Sequence, residues 1–144
     1  MAEKQPTTSL LFFVVDPVDV TDSVREFVAA LGRERVWTES PPEYVYEVDT
    51  LDATQAADEP IVTCGGALTL YRIDGDRLAR LTPGVAAAQL ADVEYLVKRL
   101  ESLSLEAGYT IEIEYGGEGV GQIEGGHSSK GILVGLLDEW RKAL

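Results

Sequence analysis

Between Tyr109 and Gly126 the chain alternates apolar and acidic residues around a run of glycines, "YTIEIEYGGEGVGQIEGG". A period of two is a strand's period, because successive side chains leave a pleated backbone on opposite faces. Ile111, Ile113 and Tyr115 therefore fall on one side, and Glu112 and Glu114 on the other. The turn "GGEG" leads into "VGQIE", so the two segments read as an antiparallel hairpin. A hairpin alone is at best marginally stable in water. The rest of the chain must supply more strands and something to cover their apolar side.

Other segments meet that need. "LLFFVVD", Leu10 to Asp16, is short, apolar and rich in β-formers, and reads as a buried strand stopped by Pro17. In "TDSVREFVAALG" the Ser23/Glu26 spacing suits a capping box, and Val24, Phe27, Val28 and Leu31 share a helical face. A helix is expected over about Ser23 to Leu31, with Gly32 as its stop. "PPEYVYEVDT" alternates as a half-exposed strand, and "LDATQAADEP" reads as a loop. "IVTCGGALTLYRIDGDRLARL" suggests a strand over Ala67 to Ile73, a turn at Asp74-Gly75 and a return over Arg77 to Leu81. Gly65-Gly66 is a candidate bulge.

Two further helices complete the pattern. Pro83 to Leu103 carries Leu90, Val93, Leu96, Val97 and Leu100 at helical spacing, with Thr82 as cap and Pro83 at the favoured first position. Ser129 to Leu144 places Ile132, Leu133, Leu136, Leu137 and Trp140 on one side. The order is strand, helix, three strands, helix, two strands, helix. This predicts an α+β fold with a mainly antiparallel sheet of five to six strands and helices on one face. Residues 1–9 are expected to be a flexible tail, and 10–144 a single domain.

Seven glycines fall between Ile111 and Gly131, a density that also suits phosphate loops. The details do not fit one. After Gly121 to Gly126 come His127 and Ser128, where a Walker loop needs Lys and Ser or Thr. Glu124 stands where a dinucleotide fingerprint needs its third glycine. Four glutamates would also repel a phosphate. His127, the only histidine, reads as a loop residue ahead of a helix that Ser128 or Ser129 caps. Cys64 reads as a buried core thiol. Asp16, Asp19, Asp22 and Asp74-Gly75-Asp76 read as turns and helix starts rather than cation ligands. No catalytic residue, cofactor or metal is expected, and the chain is read as a non-enzyme.

Charge then narrows the partner. Twenty-five acidic residues face twelve basic ones, a net charge of −13. Such a field repels nucleic acid and anionic lipid and attracts basic proteins. The polar N-terminal stretch and the single cysteine suggest the cytoplasm. Aromatics inside a charged rim are common at protein interfaces. The candidate binding residues are therefore Tyr44, Tyr46, Glu47 and Asp49, together with Glu112, Glu114, Glu118 and Glu124.

The hairpin "IEIEYGGEGVGQIEGG" followed by "GLLDEWRKAL" resembles the C-terminal segments of small bacterial immunity proteins, antidotes that bind secreted polymorphic toxins. The resemblance implies a non-enzymatic protein that blocks a toxin's active site or partner surface. Many such toxins are basic nucleases, which an acidic antidote would suit. The alternative is a soluble domain, halophilic or otherwise, of regulatory or unknown role, whose acidity selects no partner.

Overall fold

The computed structural model describes residues 7–15, 17, 19–49, 61–71, 83–138 and 141. Strands β1 (Thr7–Val14), β2 (Glu43–Asp49), β3 (Ile61–Tyr71), β4 (Ile111–Tyr115), β5 (Glu118–Glu124) and β6 (His127–Ser128) form one sheet in the order β2-β3-β1-β4-β5-β6. Every pairing is antiparallel. Helices α1 (Thr21–Glu34) and α2 (Pro83–Ala107) join strands, and α3 (Lys130–Ile132) passes into a π-helical stretch, Leu133–Asp138. This is the expected α+β architecture.

One face of the sheet carries the core. Leu10, Phe12 and Val14 of β1 are buried, as are Cys64, Leu68 and Leu70 of β3, Ile111 and Ile113 of β4, and Ile123 of β5. They form one core with Val24, Phe27, Val28 and Leu31 of α1, five residues of α2, and Ile132, Leu136 and Leu137. Each such side chain contributes about 1.5–3 kcal/mol when fully buried. The Phe12 and Phe27 rings meet edge to face at 6.4 Å between centroids.

Glycines set the local geometry at two kinds of place. Gly116 and Gly117 turn β4 into β5 with φ of +63° and +86°. Two consecutive positive φ angles match the twist of a two-residue hairpin and are strained for any residue with a Cβ. At Gly65 the requirement is close approach, since a Cβ there would run into the Phe12 carbonyl. The Gly65-Gly66 pair is therefore not a bulge. Register through it is unbroken against both β1 and β2. The bulge lies in β5 instead, where Val120 is extra between the pairs Glu114↔Gly119 and Ile113↔Gly121.

Several boundaries differ from the sequence reading. β1 begins at Thr7, so only residues 1–6 of the expected tail lie outside the described residues. α1 starts at Thr21 after Val20, with no side-chain cap, and runs through Gly32 to Glu34. Tertiary contacts sustain that extra turn: the Trp37 indole donates to the Leu31 carbonyl at 2.9 Å, and Glu34 is tied to α2. Gly32 is thus helix interior, not a stop. β3 starts six residues before the expected Ala67, and the turn at Asp74-Gly75 with its return strand lies outside the described residues. α2 continues four residues past Leu103, where Gly108 N–H closes on the Ser104 carbonyl at 2.9 Å. In the last segment the wider π turn rotates Leu133 out of the core, leaving it 44% exposed.

Candidate functional site

Residues paired across neighbouring strands share a face. One row therefore crosses the sheet as Glu43, Ala67, Leu11 and Glu114. The next runs Val45, Gly65, Phe13, Glu112 and Gln122. Both rows lie on the face opposite the core. Leu11, Phe13, Val45 and Ala67 are half-buried there, while Glu43, Glu47, Glu112 and Glu124 are exposed and Glu114 is half-buried. Among the described residues no helix packs on this face. An apolar centre thus lies between acidic margins, with Glu43 and Glu114 three strand spacings, or ~14 Å, apart.

The charges are segregated. The six strands contain seven carboxylates, Glu43, Glu47, Asp49, Glu112, Glu114, Glu118 and Glu124, and no Lys or Arg. Among the described residues the ion-paired arginines take carboxylates outside the sheet. Arg25 holds Asp22, Arg35 holds Asp92, Arg99 holds Glu34, and Arg141 bridges Glu94 and Asp138. Among the described residues the sheet's negative potential is left without such local neutralisation. Beside the Val120 bulge a shallow groove of about 550 Å³ opens between Glu112, Glu114, Gln122 and Ser129.

The residues singled out from sequence divide between the two faces. Glu47, Glu112, Glu114 and Glu124 belong to the helix-free face. Tyr44 and Tyr46 belong to the other, because they pair with Gly66 and Cys64 in register with the core. The Tyr44 hydroxyl lies 3.8 Å from Cys64 Sγ, a hydrogen bond in which either can donate. Burial, and secondly this bond, raise the Tyr44 phenol above its ordinary pKa. Tyr46 is 49% exposed at the sheet edge on the helix side. Glu118 opposes Tyr115 at the end of the β4–β5 hairpin, and Asp49 ends β2. The tyrosines therefore do not share a surface with most of the acids. The apolar centre comes from Leu11 and Phe13, which sequence reasoning placed inside a buried run.

Other constellations are structural. Cys64 and His127 stand on β3 and β6, four strand spacings apart, or ~19 Å, so they cannot act as a pair. His127 is exposed and belongs to β6 rather than to a loop. Ser129 occupies the N-cap position of α3, yet its hydroxyl accepts from Gln122 N–H at 3.1 Å instead of capping the helix. The close fit of Gly131 against the Val120 carbonyl seats α3 beside the bulge. The glycine-rich tail is thus spent on two turns, a bulge and a helix contact. Arg35 lies over both the Trp37 and Tyr95 rings, at 5.4 and 5.3 Å, and pairs with the buried Asp92, which also accepts from Thr38 N–H at 2.9 Å. This locks the chain after α1 onto α2. Among the described residues no three His, Cys, Asp or Glu side chains gather to hold an ion, and no helix is long and apolar enough to cross a membrane. Asp16 and Asp74 to Asp76 lie outside the described residues. No protein-family model, curated protein or solved structure matches the chain.

Proposed function

We propose that this chain is a non-enzymatic binding protein of the immunity or inhibitor type, whose helix-free sheet face covers a basic bacterial toxin such as a nuclease. One observation carries the reading: Leu11, Phe13, Val45 and Ala67 form an apolar centre between glutamates, on a sheet whose strands hold no cation. An apolar centre gains from losing water, and like-signed margins steer an oppositely charged partner into place. A purely solubilising surface would have no need of an apolar centre on the same face. This favours a partner surface over the halophilic alternative. Neither nucleic acid nor an anionic membrane suits such a face, and the cytoplasm is where an antidote of this class would act.

Protection is the direct test. The protein encoded beside this chain would be expressed in a sensitive cell, with the chain or with its Phe13→Lys variant. The reading expects growth arrest by the neighbour alone, rescue by the wild type and loss of rescue by the variant. Rescue that persists with a folded Phe13→Lys protein would move the binding surface elsewhere. A neighbour that is harmless or unbound would remove the antidote function.

A further inference from the structure

We infer that the partner segment lying on the helix-free face is an amphipathic basic helix, which packs where, among the described residues, no helix covers this side of the sheet. This rests on the protein-binding reading above and specifies its occupant. The apolar centre lies over β1, and β1 is already paired on both sides: Thr7 to Phe13 with β3, and Leu10 to Val14 with β4. No free backbone group remains there for an added strand. An extended segment laid across Leu11 and Phe13 would leave its own N–H and C=O groups unsatisfied against apolar side chains, at a cost of about 1–3 kcal/mol each. A helix closes its backbone internally.

Size and charge agree. From Val45 on β2 to Phe13 on β1 the apolar centre spans two strand spacings, ~10 Å, the diameter of one helix with its side chains. Glu43 and Glu47 stand at one margin, and Glu112 and Glu114 at the other. A helix seated between them needs a narrow apolar stripe with Lys or Arg on both flanks. The sheet edge at β2 is a poorer place for strand addition, because Glu43 and Glu47 are the charges that commonly guard edges.

Two synthetic peptides of identical Leu and Lys composition distinguish the possibilities. One repeats Leu at helical spacing, and the other alternates Leu and Lys with period two. Each is titrated into the full chain carrying labelled Leu and Val methyls, at physiological salt. The helical peptide is expected to shift the Leu11 and Val45 methyls and leave Leu133 and Val134 still. Phe13→Ser, and separately Glu112→Gln with Glu114→Gln, are expected to weaken it at least tenfold; the second variant alters no core residue. Equal or tighter binding of the period-two peptide at the same methyls would overturn the helical occupant and leave the acidic surface standing. Shifts at Leu133 and Val134 instead would also overturn it. If neither peptide moves Leu11 or Val45, both the occupant and the surface fall.

Discussion

Arg99 Nε and Nη2 donate to Glu34 Oε1 and Oε2 at 2.8 and 3.0 Å, joining residues 65 positions apart. Tyr95 O–H donates to the same Oε1 at 2.5 Å, one turn earlier on α2. Together they pin the last turn of α1 to α2. The Arg99 bonds first, and the Tyr95 bond second, hold the Glu34 carboxyl below its usual value of 4.5.

A carboxyl lowered on folding stabilises the protein above its unfolded pKa, and that contribution is lost as pH falls through the folded value. Both side chains are about one-third exposed, which limits the effect. Glu34→Gln is expected to lower stability by about 1 kcal/mol near neutral pH. The difference from wild type should shrink as pH drops below the usual 4.5 and vanish as it falls through the lowered folded value. Urea unfolding of both proteins across that range measures it.

Asp92 is 1% exposed and its partner Arg35 only partly so. Removing one member of such a pair leaves a poorly solvated charge and an unsatisfied Thr38 N–H. Asp92→Ala is expected to cost about 3 kcal/mol, and Asp92→Asn less, since an amide oxygen can still accept from Thr38. Chemical denaturation separates the two.

Glycine substitutions should rank by mechanism. At Gly117 a Cβ meets no atom within 4 Å, so Gly117→Ala incurs only the positive-φ strain, about 1 kcal/mol. At Gly65 a Cβ strikes backbone and would push β3 away from β1. Gly65→Ala is expected to cost more than about 3 kcal/mol or to prevent folding. Thermal melts of the two variants check the order.

The exposed acids should matter little to stability. Glu112→Gln and Glu124→Gln lie outside the core and outside every ion pair of the described residues. Each is expected to change unfolding free energy by no more than about 0.5 kcal/mol. A larger loss, seen by urea titration, would assign them a structural role instead.

Much of this fold was readable because local and tertiary demands coincide. The β4–β5 hairpin alternates cleanly and carries Gly116-Gly117 at its turn, and α2 repeats Leu and Val at helical spacing with Pro83 at its start. Where tertiary contact decides, the local pattern misled. The last turn of α1 persists through Gly32 because Trp37 and Arg99 hold it, and neither bond has a local signature. Leu133 fits an ideal helical stripe, but the π turn shifts its phase. The proposed binding face was half legible. Its acids stood out by alternation, whereas "LLFFVV" is apolar at every position and conceals that Leu11 and Phe13 face away from the core. Tyr44 and Tyr46 alternate correctly, but alternation alone does not say which side the helices take.

Methyl chemical shifts of the chain, titrated with the product of the neighbouring gene as the proposed partner at low and physiological salt, test the proposed binding face most directly. Leu11 and Val45 should move on binding, Leu133 and Val134 should not, and affinity should fall as salt rises. Movement confined to Leu133 and Val134, or an affinity indifferent to salt, would contradict the assignment of the acidic sheet face as the surface this protein uses.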